Sequence, residues 1–227
     1  MIITDANDIK TIKRNWKRIF GDNDGFLDEL FSLSPMVFAV KTDGDISSSL
    51  LVIEMRYKGH KTGYIYGAMT VEKYRKQGLM KKLLDEVCET LEEKGFSGVF
   101  LLPANEKLYD YYAVCGFEKN LPTDTVTVFD MPTGTKEKVL SRAEYERLEY
   151  PLKRDYDLFE FAVRTHIQNG GRTVCNDDDF IAYHIKEGQV VIDMACTKNV
   201  KRDRFAMSKC FGGFKWGNDA HVGLLME

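Results

Sequence analysis

The sequence has no Cys-x-x-Cys pair, and its five cysteines, Cys88, Cys115, Cys175, Cys196 and Cys210, are odd in number. Both a disulfide framework and a zinc ribbon are therefore disfavoured. The four histidines, His60, His166, His184 and His221, are scattered and lack metal-ligand spacing. Asp177-Asp178-Asp179 is the densest acidic run, but it lacks the alternation of an EF-hand loop and reads as a solvated turn. No metal is expected. No apolar run approaches the length of a membrane span. Met1-Ile2-Ile3-Thr4-Asp5 lacks the basic region and long apolar segment of a signal peptide. A cationic excess is missing too: the formal net charge is −3, which argues against a nucleic-acid binder. The expectation is a soluble cytoplasmic protein with no membrane or nucleic-acid partner.

What is present is a globular composition. Hydrophobic residues make up 44% of 227, enough for a sizeable core in one large domain or two small ones. Ile9, Ile12, Trp16, Ile19 and Phe20 share one side of a helix predicted over Asn7 to Phe20. Gly21-Asp22-Asn23-Asp24-Gly25 breaks it, and Phe26 to Ser32 reads as a second short helix. Strands follow at Met36 to Lys41 and Leu50 to Arg56, around the hairpin signal Asp43-Gly44-Asp45.

The stretch from Gly67 to Phe117 carries the chemistry. Tyr64 to Val71 is rich in aromatic and β-branched residues, as in a strand. The turn Arg75-Lys76-Gln77-Gly78-Leu79-Met80 follows. Leu79, Met80, Leu83, Leu84, Val87, Cys88 and Leu91 then form one stripe of an amphipathic helix. The first turn of such a helix leaves N–H groups unpaired and carries partial positive charge. A pyrophosphate can accept those bonds, Gly78 lets the backbone approach it, and Arg75 and Lys76 add attraction. Taken alone, the turn reads more readily as an ordinary helix start with solvated basic residues. Val99 to Leu102 reads as a strand covered on both faces, and Pro103 ends it. Asn105 and the segment Leu108-Tyr109-Asp110-Tyr111-Tyr112-Ala113-Val114-Cys115-Gly116-Phe117 follow.

In this order and spacing the chain resembles the GCN5-related N-acetyltransferase (GNAT) family. Arg75 and Gly78 sit where the family carries its Arg/Gln-x-x-Gly-x-Gly/Ala turn. Asn105 matches the Asn after the next strand, and Tyr112, Gly116 and Phe117 match Tyr-x-x-x-Gly-Phe. Met80 stands where the family has a small residue. The resemblance implies a mixed α+β fold and acetyl-CoA as cosubstrate. It implies pantetheine bound to strand backbone around Met69, Thr70 and Val71, where two strands splay at a bulge. Phosphates would meet Arg75, Lys76, Gln77, Gly78, Leu79 and Met80, and Asn105 would line the same site. It further implies Tyr112 as the acid that protonates the departing thiolate. The family often places a Glu base on the strand, but Tyr64 to Val71 has no carboxylate. Glu54, Glu72 and Glu227 are the substitutes left open, with ordered water as the other route.

After Phe117 the pattern weakens. Thr125 to Phe129 reads as a strand, and Met131-Pro132-Thr133-Gly134-Thr135 as a break. A boundary near here divides residues 1–133, an acetyltransferase domain, from residues 134–227, a smaller α+β half. Lys136 to Arg154 reads as a connector or short helix. Leu152 to Gln168 reads as a helix, Phe180 to Ile185 with Val190 to Met194 as a hairpin, Arg202 to Cys210 as helical, and Val222 to Met226 as a strand. This order loosely echoes the first half and suggests a degenerate GNAT-like repeat that shapes the acceptor pocket. An unrelated lid or dimerisation module is the alternative.

The favoured reading is acetyl transfer from acetyl-CoA to a primary amine of a small molecule or peptide, with a homodimer left open. An acyl-CoA-binding or regulatory module without turnover is the second reading, motivated by Met80 and the missing base. An aminoacyl transferase is the third, and the acidic balance speaks against its tRNA donor.

Overall fold

Asp5 opens the first helix, α1 (Ala6–Phe20), by accepting the N–H groups of Asn7 and Asp8 on its carboxylate. The apolar stripe of α1 carries Ile12 and Trp16 inward. Asn23 caps α2 (Asp24–Ser32), which buries Leu27 and Leu30. Then come β1 (Met36–Thr42), β2 (Asp45–Tyr57), β3 (His60–Thr70), α3 (Leu79–Glu93), β4 (Gly98–Leu101), α4 (Glu106–Val114) and β5 (Glu118–Pro122). The later elements are β6 (Lys136–Glu137), α5 (Arg142–Arg147), β7 (Leu152–Arg154), α6 (Tyr156–Gln168), β8 (Arg172–Cys175), β9 (Phe180–Lys186), β10 (Gln189–Cys196) and β11 (Phe205–Cys210). The structure, a computed structural model, describes residues 5–124, 134–176, 179–196, 202 and 204–223. The strand expected at Thr125 to Phe129, Asp177, Asp178 and Glu227 lie outside the described residues.

The chain divides into two compact units. The first takes the residues before Arg56, Gly59–Glu118 and Met207–Lys215. The second takes Arg56–Lys58, Lys119–Ala206 and the residues from Trp216 onward. The expected boundary near residue 133 therefore differs from the observed division at Glu118/Lys119, and a late segment returns to the first unit. That segment contains most of β11. It was expected as part of a helix over Arg202 to Cys210, and instead it pairs antiparallel with β4, Met207 opposite Leu101 and Cys210 opposite Gly98. Pairing with a buried strand edge overrides local helix preference here.

The first unit is α+β. Its sheet runs β1-β2-β3-β4-β11. β1 and β2 form an antiparallel hairpin, whereas β3 and β4 are parallel. The predicted stripe of α3 packs on one face: Leu83, Leu84, Val87, Cys88 and Leu91 join Phe38, Leu50, Val52, Ile65, Val99, Met207 and Phe211 in one core. β4 is buried at all four positions, as its apolar run requires.

The borrowed strand makes a prediction. A chain ending at residue 133 loses the antiparallel partner of β4, along with Met207 and Phe211, which are 2% and 7% exposed. Each buried side chain of this size contributes about 1.5–3 kcal/mol, against a total stability of about 5–15 kcal/mol for a domain. The shortened chain should aggregate or show no cooperative melt. A soluble form with a sharp thermal transition would contradict the role assigned to β11.

The second unit has a four-stranded sheet in the order β10-β9-β8-β6. The predicted hairpin turns at Glu187 and Gly188, with φ of 51° and 78°, the paired positive values of a type I′ turn. Val174, Ile181, Ile192 and Ala195 form its core cluster. The helix predicted from Leu152 begins at Tyr156, because Leu152–Arg154 is strand β7 and Asp155 caps α6 by accepting from the Asp157 N–H. That carboxylate makes the start of α6 a poor counterpart to the first unit's phosphate turn. Asp124 is fully buried. It accepts from the Tyr150 hydroxyl at 2.5 Å, the Ala195 N–H at 2.9 Å and Arg202 Nε at 2.8 Å. Burial pushes its carboxyl up, but His221, Arg202 and Tyr150 outweigh that and hold it below the usual range.

Candidate functional site

The parallel register of β3 and β4 covers Thr62–Gly98, Gly63–Val99 and Tyr64–Phe100. β3 continues to Thr70, whereas β4 ends at Leu101 and its register with β3 ends at Tyr64–Phe100. Gly67, in the part of β3 beyond that register, has φ 59°. A glycine there signals a bulge or a close approach by another group.

Of the three backbone positions expected to hold pantetheine, Val71 is already engaged. Its N–H donates to Ser47 O at 2.9 Å, and its carbonyl accepts from the Tyr74 N–H at 2.8 Å. Backbone groups alternate sides along a strand, so the Thr70 N–H points away from β2, toward the edge that β4 leaves open. The Thr70 carbonyl accepts from Arg75 Nε at 3.2 Å, which ties the basic turn to the end of β3.

The turn reaches α3 through a single 3-10 turn, Glu72–Tyr74, and two left-handed residues, Lys76 at φ 63° and Gly78 at φ 75°. Gly78 is the N-cap of α3. No side chain caps the helix, and no acidic residue lies in its first turn. A Cβ on Gly78 would meet no protein atom within 4 Å. Uncapped N–H groups beside open space suit a pyrophosphate. Lys81 pairs with Asp85 at 2.8 Å and Lys82 lies 3.9 Å from Glu86, so Arg75 and Lys76 are the cations nearest in sequence without such partners on α3.

Asn105 stands at the N-cap of α4, yet its side chain does not cap the helix, and it is exposed. Tyr112, in the last turn of α4, is 8% exposed and packs edge-on against Tyr111 and Phe117. Burial first, then Cys115, pushes its pKa up to about 12. Tyr111 is more exposed and bonds Cys115, and burial raises its pKa as well.

The raised value has a consequence for pH dependence. At pH 10 a tyrosine of ordinary pKa is about half ionised, whereas Tyr112 remains about 99% protonated. If Tyr112 donates the proton, turnover should hold its plateau up to about pH 11, provided the fold survives. A pH–rate profile that falls with an apparent pKa near 10 would point to another donor.

Glu54 is paired with Lys61 at 2.9 Å, and Glu72 lies in the 3-10 turn. Neither is on β3, and the expected gap in the strand's carboxylates stands. Among the described residues no group of three or more His, Cys, Asp or Glu is disposed to hold a metal. No described helix is long and apolar enough to cross a membrane.

Residues 7–117 match the model of the Acetyltransferase (GNAT) family. These residues form a GNAT acetyltransferase domain. The match spans the helices, the strand pair and the turn just described, and ends on Phe117 of the Tyr-x-x-x-Gly-Phe segment. No curated protein matches the chain significantly in sequence. Solved structures share the fold. A probable N-acyltransferase from Enterococcus faecalis V583 superposes with TM-score 0.63 at 12% identity, over 91% of this chain and 71% of that one. A GCN5-related N-acetyltransferase from Kribbella flavida gives 0.59 at 11%, over 92% and 71%. Eis1 from Mycobacterium abscessus gives 0.61 at 11%, over 82% of this chain and 53% of its own, so the chain spans about half of that protein. At these identities the likeness concerns fold, and it extends past the GNAT domain into the second unit.

Three features escaped the sequence. The late strand β11 had no local signal. The engagement of Val71 depends on a partner 24 positions away, Ser47. The contact of Trp16 with Gly67 was legible only as two separate facts, an indole on a helix stripe and a glycine inside a strand.

Proposed function

We propose that the GNAT domain takes acetyl-CoA and transfers its acetyl group directly to a primary amine of a small molecule or peptide. The observation that carries this reading is the pairing of two features. The start of α3 is uncapped beside the open space at Gly78, and it follows a strand that runs on past the end of its register with β4 at Tyr64. The first suits a pyrophosphate and the second an extended pantetheine arm that bonds to strand backbone. Backbone N–H groups on the open edge of β3 supply charge stabilisation where the carbonyl oxygen becomes anionic. Tyr112 donates a proton to the departing thiolate, and its raised pKa keeps it protonated for that task. The amine must attack as the free base. With no carboxylate on β3 and Glu54 held by Lys61, we assign its deprotonation to water.

The test is thiol release from acetyl-, propionyl- and longer acyl-CoA across a panel of small amines and peptides. Release that depends on the amine and favours the acetyl donor supports the proposal. Tight CoA binding with no release for any pair would favour the binding-module reading, which the absence of a strand carboxylate motivates.

A further inference from the structure

The alternation of β3 fails at Tyr66 and Gly67. Ile65 lies in the core beneath α3, and Ala68 packs on that same core. Between them, two consecutive residues both turn toward Trp16 of α1. The Tyr66 ring centroid lies 5.4 Å from the indole. A Cβ on Gly67 would fall 1.8 Å from Cη2, 2.2 Å from Cζ3 and 2.6 Å from Cζ2 of Trp16. Two successive residues on one face are the mark of a bulge, which bends its strand. Trp16 is itself held firmly. It is 1% exposed, its Nε1 donates to Asp22 Oδ2 at 2.6 Å, and Phe20 and Phe31 meet it edge-on. The indole thus fills the place that any side chain at residue 67 would take, on the part of β3 that runs on past its register with β4.

We propose that Trp16 is a positioning residue for acyl-CoA: the outer part of its indole, anchored by Asp22, props β3 in its bent course at Gly67 and so keeps the strand edge open for the pantetheine arm. The inference rests on the reading that this opening takes acyl-CoA. Without the prop, β3 is free to straighten and the spacing of its backbone donors shifts. Asp22, on the loop between α1 and α2, sets the depth of the ring.

The test uses the full chain and calorimetric titration with CoA. Trp16→Phe keeps the inner packing against Phe20 and Phe31 but lacks the outer indole atoms that approach Gly67. Its Kd for CoA should rise about tenfold or more, since misplacing binding groups by an ångström is costly. Ile12→Val on the same helix is the control: it should lower the melting temperature yet leave Kd within about twofold, as it removes one buried methyl group and leaves the indole in place. Gly67→Ala should weaken binding at least as much. Combined with Trp16→Phe it should cost little more than the worse single change, because the colliding ring is gone. A Trp16→Phe Kd no higher than the control's, with wild type binding normally, would overturn the positioning role alone. Failure of wild type to bind CoA would overturn the underlying reading, and the positioning role with it.

Discussion

Tyr112→Phe should lower kcat by about 10²–10⁴-fold, the range expected when a general acid is lost. The change keeps the ring and its edge-on contacts with Tyr111 and Phe117, so packing is largely preserved. Only the hydroxyl goes. The KM for acetyl-CoA should move little, because proton donation matters in the transition state rather than in the bound ground state. Tyr111→Phe is the control. Its neighbour's side chain points about 100° away around α4, and the substitution removes a hydroxyl bonded to Cys115. A similar, small loss in both variants would return Tyr112 to a packing role and leave the thiolate to be protonated by water. Steady-state kinetics with any amine that turns over suffices.

Gly78→Val should weaken CoA binding by about 100-fold. The value follows from losing about 3 kcal/mol, roughly one or two charge-assisted hydrogen bonds to phosphate. The isopropyl group would enter the space beside the start of α3, where no protein atom lies within 4 Å of the Cβ. It therefore obstructs a ligand and not the chain. Backbone strain is the competing cost, because φ 75° is left-handed and disfavours β-branched residues. Gly95 separates the two. It follows the other end of α3 with φ 76°, and a Cβ there also meets nothing within 4 Å. Gly95→Val should lose comparable stability and keep its affinity for CoA. Equal losses of affinity in the two variants would mean that the phosphates do not lie at Gly78.

The elements with strong local signals were legible in the sequence. The stripe Leu83, Leu84, Val87, Cys88 and Leu91 fixes α3 because each residue buries on one face at helical period. Glu187-Gly188 between two apolar runs fixes the β9–β10 turn. The candidate turn was readable for the same reason: Gly78 and the basic residues around it are contiguous. What stayed hidden depends on distant partners. Phe205–Cys210 has no feature that marks it as a strand until β4 offers an edge to pair with. The return of Met207–Lys215 to the first compact unit was not legible either, because a strand from the far end joins the first sheet and composition cannot show that. The engaged backbone of Val71 is invisible for a further reason, since side-chain identity carries no information about main-chain bonds.

The most direct measurement is a single turnover with the protein in excess over acetyl-CoA and an amine that supports thiol release, followed by mass spectrometry of both protein and amine. Direct transfer predicts that the amine gains one acetyl group as the thiol appears, while the intact protein mass stays unchanged at every time point. An acetylated protein that forms before the product, or thiol release that proceeds equally well without the amine, would contradict it.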